Sequence, residues 1–234
     1  YDDFFLGVGI NSYYEDIETD ATASSQQQKL KGNYFDNFVS LTFDYDKRNQ
    51  KFQTTQGYRN YFSTDLPLIS ETNTLANTFI TTNYFEYFND NVLKTSFYFR
   101  NSNSISGDNV KLSERLYLPQ NRLRGFEKGK VGPKDGNDFI GGNYIASLNF
   151  SSNIPKLLEN SQTTDLLIFL DIANVWGVDY DSGLESSDEV KSAIGIGLDW
   201  FSPIGPMNFS LSQHLTKGSN DITESFRFNL GTTF

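Results

Sequence analysis

The only histidine in the sequence is His214, which follows Ser210 and Ser212 in "NFSLSQHLT". Serine and histidine together raise the idea of a nucleophile and its base. Two residues apart on one extended strand, however, they point the same way and do not meet in nucleophile–base geometry. A single histidine and no cysteine exclude a thiolate site or a multi-histidine zinc site within this chain. The run "GKVGPKDG", starting at Gly129, is glycine-rich but lacks the spacing of a phosphate-binding loop. The acidic run "DYDSGLESSDE" (Asp179–Glu189) offers oxygen ligands to a hard cation without EF-hand spacing, and reads as a solvated charged loop. One segment remains. "NRLRGFEKGKVGPKDG" begins at Asn121 and sets an arginine, a glycine and an aromatic side by side at Arg124, Gly125 and Phe126. It is polar and too irregular to be a strand, yet the chain on both sides reads as sheet. A guanidinium can grip a carboxylate by two parallel hydrogen bonds, and Gly125 lets the backbone approach a wall closely or adopt positive φ.

The elements that must position such a loop are strands. The chain has 234 residues, a formal net charge of −10 and a pI near 4.6, which argues against a nucleic-acid partner. It holds 21 Phe and 13 Tyr, yet its mean hydropathy is −0.47. Many aromatics in a chain that is polar on average imply apolar residues interleaved with polar ones. No apolar run approaches the roughly 20 residues of a membrane helix, but a membrane strand needs only about 9–11, half of them polar. The chain starts without Met or a secretory signal and almost directly in a strand-like segment, so it reads as part of something longer.

Counting period-2 segments between turn signals gives about ten strands. In "ESFRFNLGTTF", Phe226, Phe228, Leu230, Thr232 and Phe234 share one face, with Arg227, Asn229 and Gly231 on the other. In "KSAIGIGLDWFSP", Ile194, Ile196, Leu198 and Trp200 oppose Ala193, Gly195, Gly197 and Asp199. Tyr144, Ala146, Leu148 and Phe150 oppose Ile145, Ser147 and Asn149. The stretches near Thr55–Thr64 and Ala76–Phe88 are more mixed. A soluble sandwich and a membrane barrel both show this alternation, one with its apolar face inward and the other with it toward lipid. Three features favour the membrane. The polar faces carry Lys94, Arg100, Asp199 and Arg227 with several glycines; aromatics such as Trp176, Trp200 and Phe234 lie toward segment ends; and connections are uneven, from the tight Ser202–Pro206 to the long Ser102–Ile140.

Several blocks, standing in order along the chain, resemble those of the BamA-like outer-membrane protein assembly factors. "LRGF" (Leu123–Phe126) looks like the family's Val-Arg-Gly-Phe loop signature. "VGP" (Val131–Pro133), "GGNYIASLNF", "FLDIANVW" (Phe169–Trp176), "SAIGIGLDWFSPIGPMNFS" (Ser192–Ser210) and the terminal strand follow it, and "FDYDKRNQKFQTTQGYR" (Phe43–Arg59) precedes it. The resemblance implies an all-β, antiparallel transmembrane β-barrel of about 16 strands, of which residues 1–234 form the last ten, with further strands and POTRA domains upstream. It implies that the long loop folds into the lumen and that Arg124 docks against Asp171, with Phe169 on the same strand face. It implies further that Phe226, Phe228, Leu230, Gly231 and Phe234 form an assembly signal and one lip of a lateral gate. The function implied is assembly and insertion of β-barrel proteins in the outer membrane of a Gram-negative bacterium. The implied partners are unfolded outer-membrane clients, outer-membrane lipids and accessory lipoproteins. Enzymatic chemistry, a cofactor and a metal are not expected. Two departures stand out: Ala173 replaces a usual glycine, and Asn149 an inward glutamate, which is expected to weaken the network around Arg124. A polypeptide secretion translocator of the same superfamily, including a TamA-like protein, is the competing function, and a passive porin a more distant one.

Overall fold

The computed structural model of the chain describes residues 3–51, 53–71, 73–88, 91–154, 163–180, 183–185, 189–202 and 205–231. Ten strands form one sheet: β1 (Phe4–Ile17), β2 (Gly32–Asp46), β3 (Gly57–Ser70), β4 (Thr74–Phe88), β5 (Asn91–Ser104), β8 (Tyr144–Asn153), β9 (Thr164–Trp176), β11 (Lys191–Ser202), β12 (Gly205–Thr216) and β13 (Phe226–Leu230). Each pairs antiparallel with its neighbour in that order, and among the described residues β1 and β13 are the two edges. β6 (Lys134–Asp135), β7 (Asp138–Phe139) and β10 (Leu184–Glu185) make a small separate sheet from connecting segments, and a short helix α1 (Ser25–Gln28) is capped by Ser24. No described helix is long and apolar enough to cross a membrane, which leaves crossing by strands untouched.

Burial decides which face of the alternation points where. Val8 and Ile10 are 70% and 72% exposed, and Ile194, Ile196, Leu211, Phe226 and Phe228 are exposed as well. The buried strand residues include Asp36, Ser96, Ser147, Asn149, Asp171, Lys191 and Arg227. A soluble sandwich cannot tolerate that arrangement, because it exposes apolar side chains to water and buries charge. A barrel wall with lipid outside and a polar interior requires it. The two sets expected from the alternation fall accordingly. Trp200, Phe226 and Phe228 lie outward with Leu198 and Phe209, while Asp171, Gly195, Gly197, Asp199 and Arg227 lie inward. On the outer face aromatic pairs bridge neighbouring strands, among them Phe79 with Phe97 at 6.2 Å and Phe209 with Phe228 at 4.9 Å between ring centroids. Trp176 stacks on Tyr144 at one end of the wall and Trp200 stands near the other.

The connections are less regular than a short-turn side and a long-loop side. Two-residue connections after β4 and β11 do share one side, but the same side carries residues 47–56 and 154–163. The opposite side carries the long segments together with the brief 71–73. Three of the long segments converge on the buried Asp135, which accepts hydrogen bonds from Ser24 Oγ and from Tyr180 Oη, the latter at 2.7 Å.

The apolar core lies inside the sheet, between loop and wall. Leu116, Leu118, Leu123, Phe126 and Val131 of the long loop pack against Tyr98, Ile145, Ala173, Val175 and Ala193 of the inner face. The inner face is therefore polar only in part: Ile145 and Val175 stand on it because the loop covers them.

Candidate functional site: the docked loop and the inner wall

The segment 105–143 leaves β5, crosses the inner face and returns to β8. Its middle is held at Asp171 on β9. The parity of β9 puts Phe169, Asp171, Ala173 and Val175 inward, and Asp171 is fully buried. Its Oδ2 accepts Nε of Arg124 at 2.7 Å and the Arg124 backbone N–H at 3.1 Å; its Oδ1 accepts Nη2 of Arg124 at 2.9 Å. This is the fork-on-fork geometry that makes arginine–carboxylate pairs strong. The guanidinium also lies 3.4 Å from the centroid of the Phe169 ring, in cation–π contact. That ring lies over Gly195, its register partner on β11, where an added Cβ would stand 2.5 Å from it.

Gly125 meets two demands at once. Its φ is +88°, and a Cβ there would sit 3.1 Å from the Cβ of Ala193 and 3.3 Å from Ser212 Oγ. Replacing Gly125 with alanine is therefore expected to lower the free energy of unfolding in lipid vesicles by about 1–3 kcal/mol, from left-handed strain and overpacking together. A urea midpoint unchanged from the parent would show that the loop has another way to lie. Phe126 and Leu123 are buried in the apolar core, so all four residues Leu123–Phe126 touch the wall.

Asn149, where the resemblance implies an inward glutamate, joins the arrangement through its amide. Its Nδ2 donates to Asp171 Oδ1 at 2.8 Å and lies at 2.8 Å from the Arg122 carbonyl, while its Oδ1 accepts from Ser147. An amide supplies the fourth hydrogen bond to the Asp171 carboxylate, which a second carboxylate cannot do. Arg122 lies over the Tyr98 ring and donates to Ser96 Oγ at 2.8 Å, and among the described residues no carboxylate pairs with it. Burial depresses the pKa of its guanidinium, though an arginine remains charged. Arg122 and Arg124 border a lumen cavity of about 490 Å³ whose wall also carries Arg48, Arg59, Lys94 and Tyr84.

Three further features had no signature in the sequence. Lys111, at the start of the short turn Leu112–Glu114, reaches Glu15 on β1 and Asp36 on β2 and lies 3.5 Å from Glu114. Burial opposes its charge, but the hydrogen bonds to Asp36 and Glu15 and the charge of Glu114 hold its pKa above the ordinary lysine value. Arg227 on β13 donates to the carbonyls of Gln120 and Phe126. The acidic run is not simply solvated: Asp179 accepts from the Val110 N–H at 2.9 Å and from Asn143 Nδ2 at 2.8 Å, and lies 3.7 Å from the buried Arg115. A run of acidic letters cannot show that its first member turns back to cap a loop.

On the terminal strand, Phe226, Phe228 and Leu230 face outward and are exposed, and Gly231 donates its N–H to the Pro206 carbonyl at 2.9 Å. Phe234 lies outside the described residues.

An antiparallel wall, apolar outside and charged inside, with an arginine loop folded onto it, defines an outer-membrane β-barrel, and residues 3–234 match the family model of the Omp85 superfamily domain. The chain belongs to the Omp85 superfamily and is an integral outer-membrane protein of a Gram-negative bacterium. Among its relatives, the outer membrane protein assembly factor BamA of Neisseria meningitidis serogroup B is 30% identical over 139 residues, covering 48% of this chain and 17% of the relative. That of Neorickettsia risticii is 27% identical over 132 residues, covering 55% and 18%. The crystal structure of BamA from Haemophilus ducreyi lacking POTRA domains 1–3 shares the fold with a TM-score of 0.78 at 22% identity, over 96% of this chain and 50% of that one. The matched stretches of the chain thus cover less than a fifth of the length of these curated relatives.

Proposed function

We propose that this chain forms part of the barrel of a BamA-like factor that assembles and inserts β-barrel proteins into the outer membrane. The observation that supports it most is the docked loop: Arg124, Phe169 and Asp171 hold Leu123–Phe126 against the inner wall. In this reading the pair is a latch that sets the shape of the barrel. The terminal strand, with Phe226, Phe228, Leu230, Gly231 and Phe234, is one lip of a lateral gate for unfolded outer-membrane clients. A strand edge presents unpaired N–H and C=O groups, so an incoming strand can pair there. No covalent step or cofactor is needed, since hydrogen-bond closure and burial of an apolar face in lipid drive the client's folding. Accessory lipoproteins would act from outside the barrel.

The test uses the full-length protein in liposomes with a urea-unfolded porin as client. Folded porin, read by its heat-modifiable mobility on gels, is expected to accumulate faster than in empty liposomes and more slowly with the Asp171→Asn variant. Transport of an unfolded polypeptide into the vesicles, with no gain in folded porin, would instead make the protein a secretion translocator.

A further inference from the structure

We propose that Arg227 is a positioning residue that couples the terminal strand to the docked loop, so that β13 and the Arg124–Asp171 anchor loosen together; what this coupling is used for rests on the assembly-factor reading. Among the described residues β13 pairs with β12 through Met207–Leu211, with flanking bonds from the Ser212 N–H to the Ser225 carbonyl at 2.8 Å and from the Gly231 N–H to the Pro206 carbonyl at 2.9 Å. Arg227 faces inward and is 7% exposed. Its Nη1 donates to the Gln120 carbonyl at 2.7 Å, its Nη2 to the Phe126 carbonyl, and its Nε to Glu224 three residues back. The two carbonyls bracket Arg124, so one guanidinium on the last strand spans the stretch that carries the other.

The backbone completes the joint. The Glu127 N–H donates to the Ile222 carbonyl at 2.9 Å, the Ile222 N–H to Lys130 at 3.0 Å and the Glu224 N–H to Gly125 at 3.1 Å, with a bridge between Phe126 and Thr223. The connection from β12 to β13 therefore lies along the loop as a partner strand. β9, which carries Asp171, is separated from β13 by β11 and β12. The loop is the direct route between them: Arg124 holds it to β9, and Arg227 holds it to β13. Pulling β13 from β12 removes the Arg227 hydrogen bonds from the Gln120–Phe126 stretch. Releasing Arg124 frees the stretch on which Arg227 is satisfied.

Amide hydrogen exchange on the full-length protein in nanodiscs tests this, because it reads local opening region by region. Asp171→Asn removes the charge that Arg124 pairs with on β9 and touches nothing on β13. It is expected to speed exchange about tenfold both at Glu127, Ile222 and Glu224 and at Phe226–Leu230. With Arg227→Gln already in place, Asp171→Asn should add little at Phe226–Leu230. Arg227→Lys, which keeps the charge but cannot span both carbonyls, should fall between the parent and Arg227→Gln. Faster exchange confined to the loop, or fully additive acceleration at β13, overturns the coupling. Porin assembly is assayed on the same preparations. Coupled exchange without assembly would overturn the assembly-factor reading and leave the joint standing, and assembly with uncoupled exchange would do the reverse.

Discussion

Arg124→Ala is expected to be the most damaging single change within Leu123–Phe126 and to cost more than Asp171→Ala. Asp171 is fully buried and Arg124 is 19% exposed in its side chain, bordering the lumen cavity. Removing the arginine leaves a carboxylate in the wall with only the Asn149 amide and the loop N–H as donors. Removing the aspartate leaves a guanidinium that still stacks on Phe169 and can turn toward cavity water. Breaking a buried pair costs roughly 3–5 kcal/mol, and an exposed one about 0–1. Arg124→Ala is expected near 3 kcal/mol, with Asp171→Ala lower. The double variant should lose about 1–3 kcal/mol less than the sum of the singles, because both remove the same interaction. Arg124→Lys should recover only part, since an ammonium cannot make two parallel bonds and stack on the ring as well. Urea unfolding in liposomes, with porin yield in parallel, measures the cycle. Strictly additive losses would mean that the two residues act independently, and the latch should then be dropped.

A loss of about 3–5 kcal/mol is expected from Lys111→Met. The side chains of Lys111 and Asp36 are each 1% exposed, and Glu15 and Glu114 face the same ammonium, which also lies over the Tyr34 ring. Methionine fills the space of the alkyl chain but leaves three carboxylates without a cation. The pH dependence follows from the signs. Lys111 has its pKa raised in the folded state. Its contribution is therefore fully present below the unfolded value of about 10.4 and is lost as pH rises through the folded one. Burial lifts the pKa of Glu114, so between its ordinary value and the raised one the folded state gains as pH falls. In Lys111→Met, Glu114 loses the ammonium that favours its ionised form, and the defect should shrink between pH 8 and pH 5. Unfolding followed by fluorescence of Trp176 and Trp200 at both pH values checks this. A defect below about 1 kcal/mol at both would place the cluster with ordinary surface pairs.

What the sequence could show followed from a local rule. Side chains alternate across a strand with period two, so Phe226, Phe228 and Leu230 had to share one face and Phe169, Asp171 and Ala173 another, wherever those strands went. That rule made the ten strands legible. With charge on one face and aromatics toward segment ends it favoured a barrel wall over a sandwich. The Leu-Arg-Gly-Phe block pointed to the loop only through its resemblance to a family. The letter at Asn149 shows a carboxamide where the resemblance implies a carboxylate, but not that its amide has the Asp171 carboxylate to donate to.

The tertiary structure alone decided the partners. Lys111 meets Asp36 across a sequence separation of 75, and Arg227 meets Phe126 across 101. Periodicity puts Arg227 on the inward face of its strand but names no partner for it, and Lys111 belongs to no periodic stretch. Which carbonyl or carboxylate a long flexible side chain finds depends on strand register and on the path of a 39-residue segment (105–143) with almost no repeating structure. The same holds for Ile145 and Val175, apolar residues on a polar face, whose place makes sense only once the loop covers them. Sequence fixes a strand's two faces through backbone geometry, while contacts across the lumen form only when the wall and the loop are assembled together.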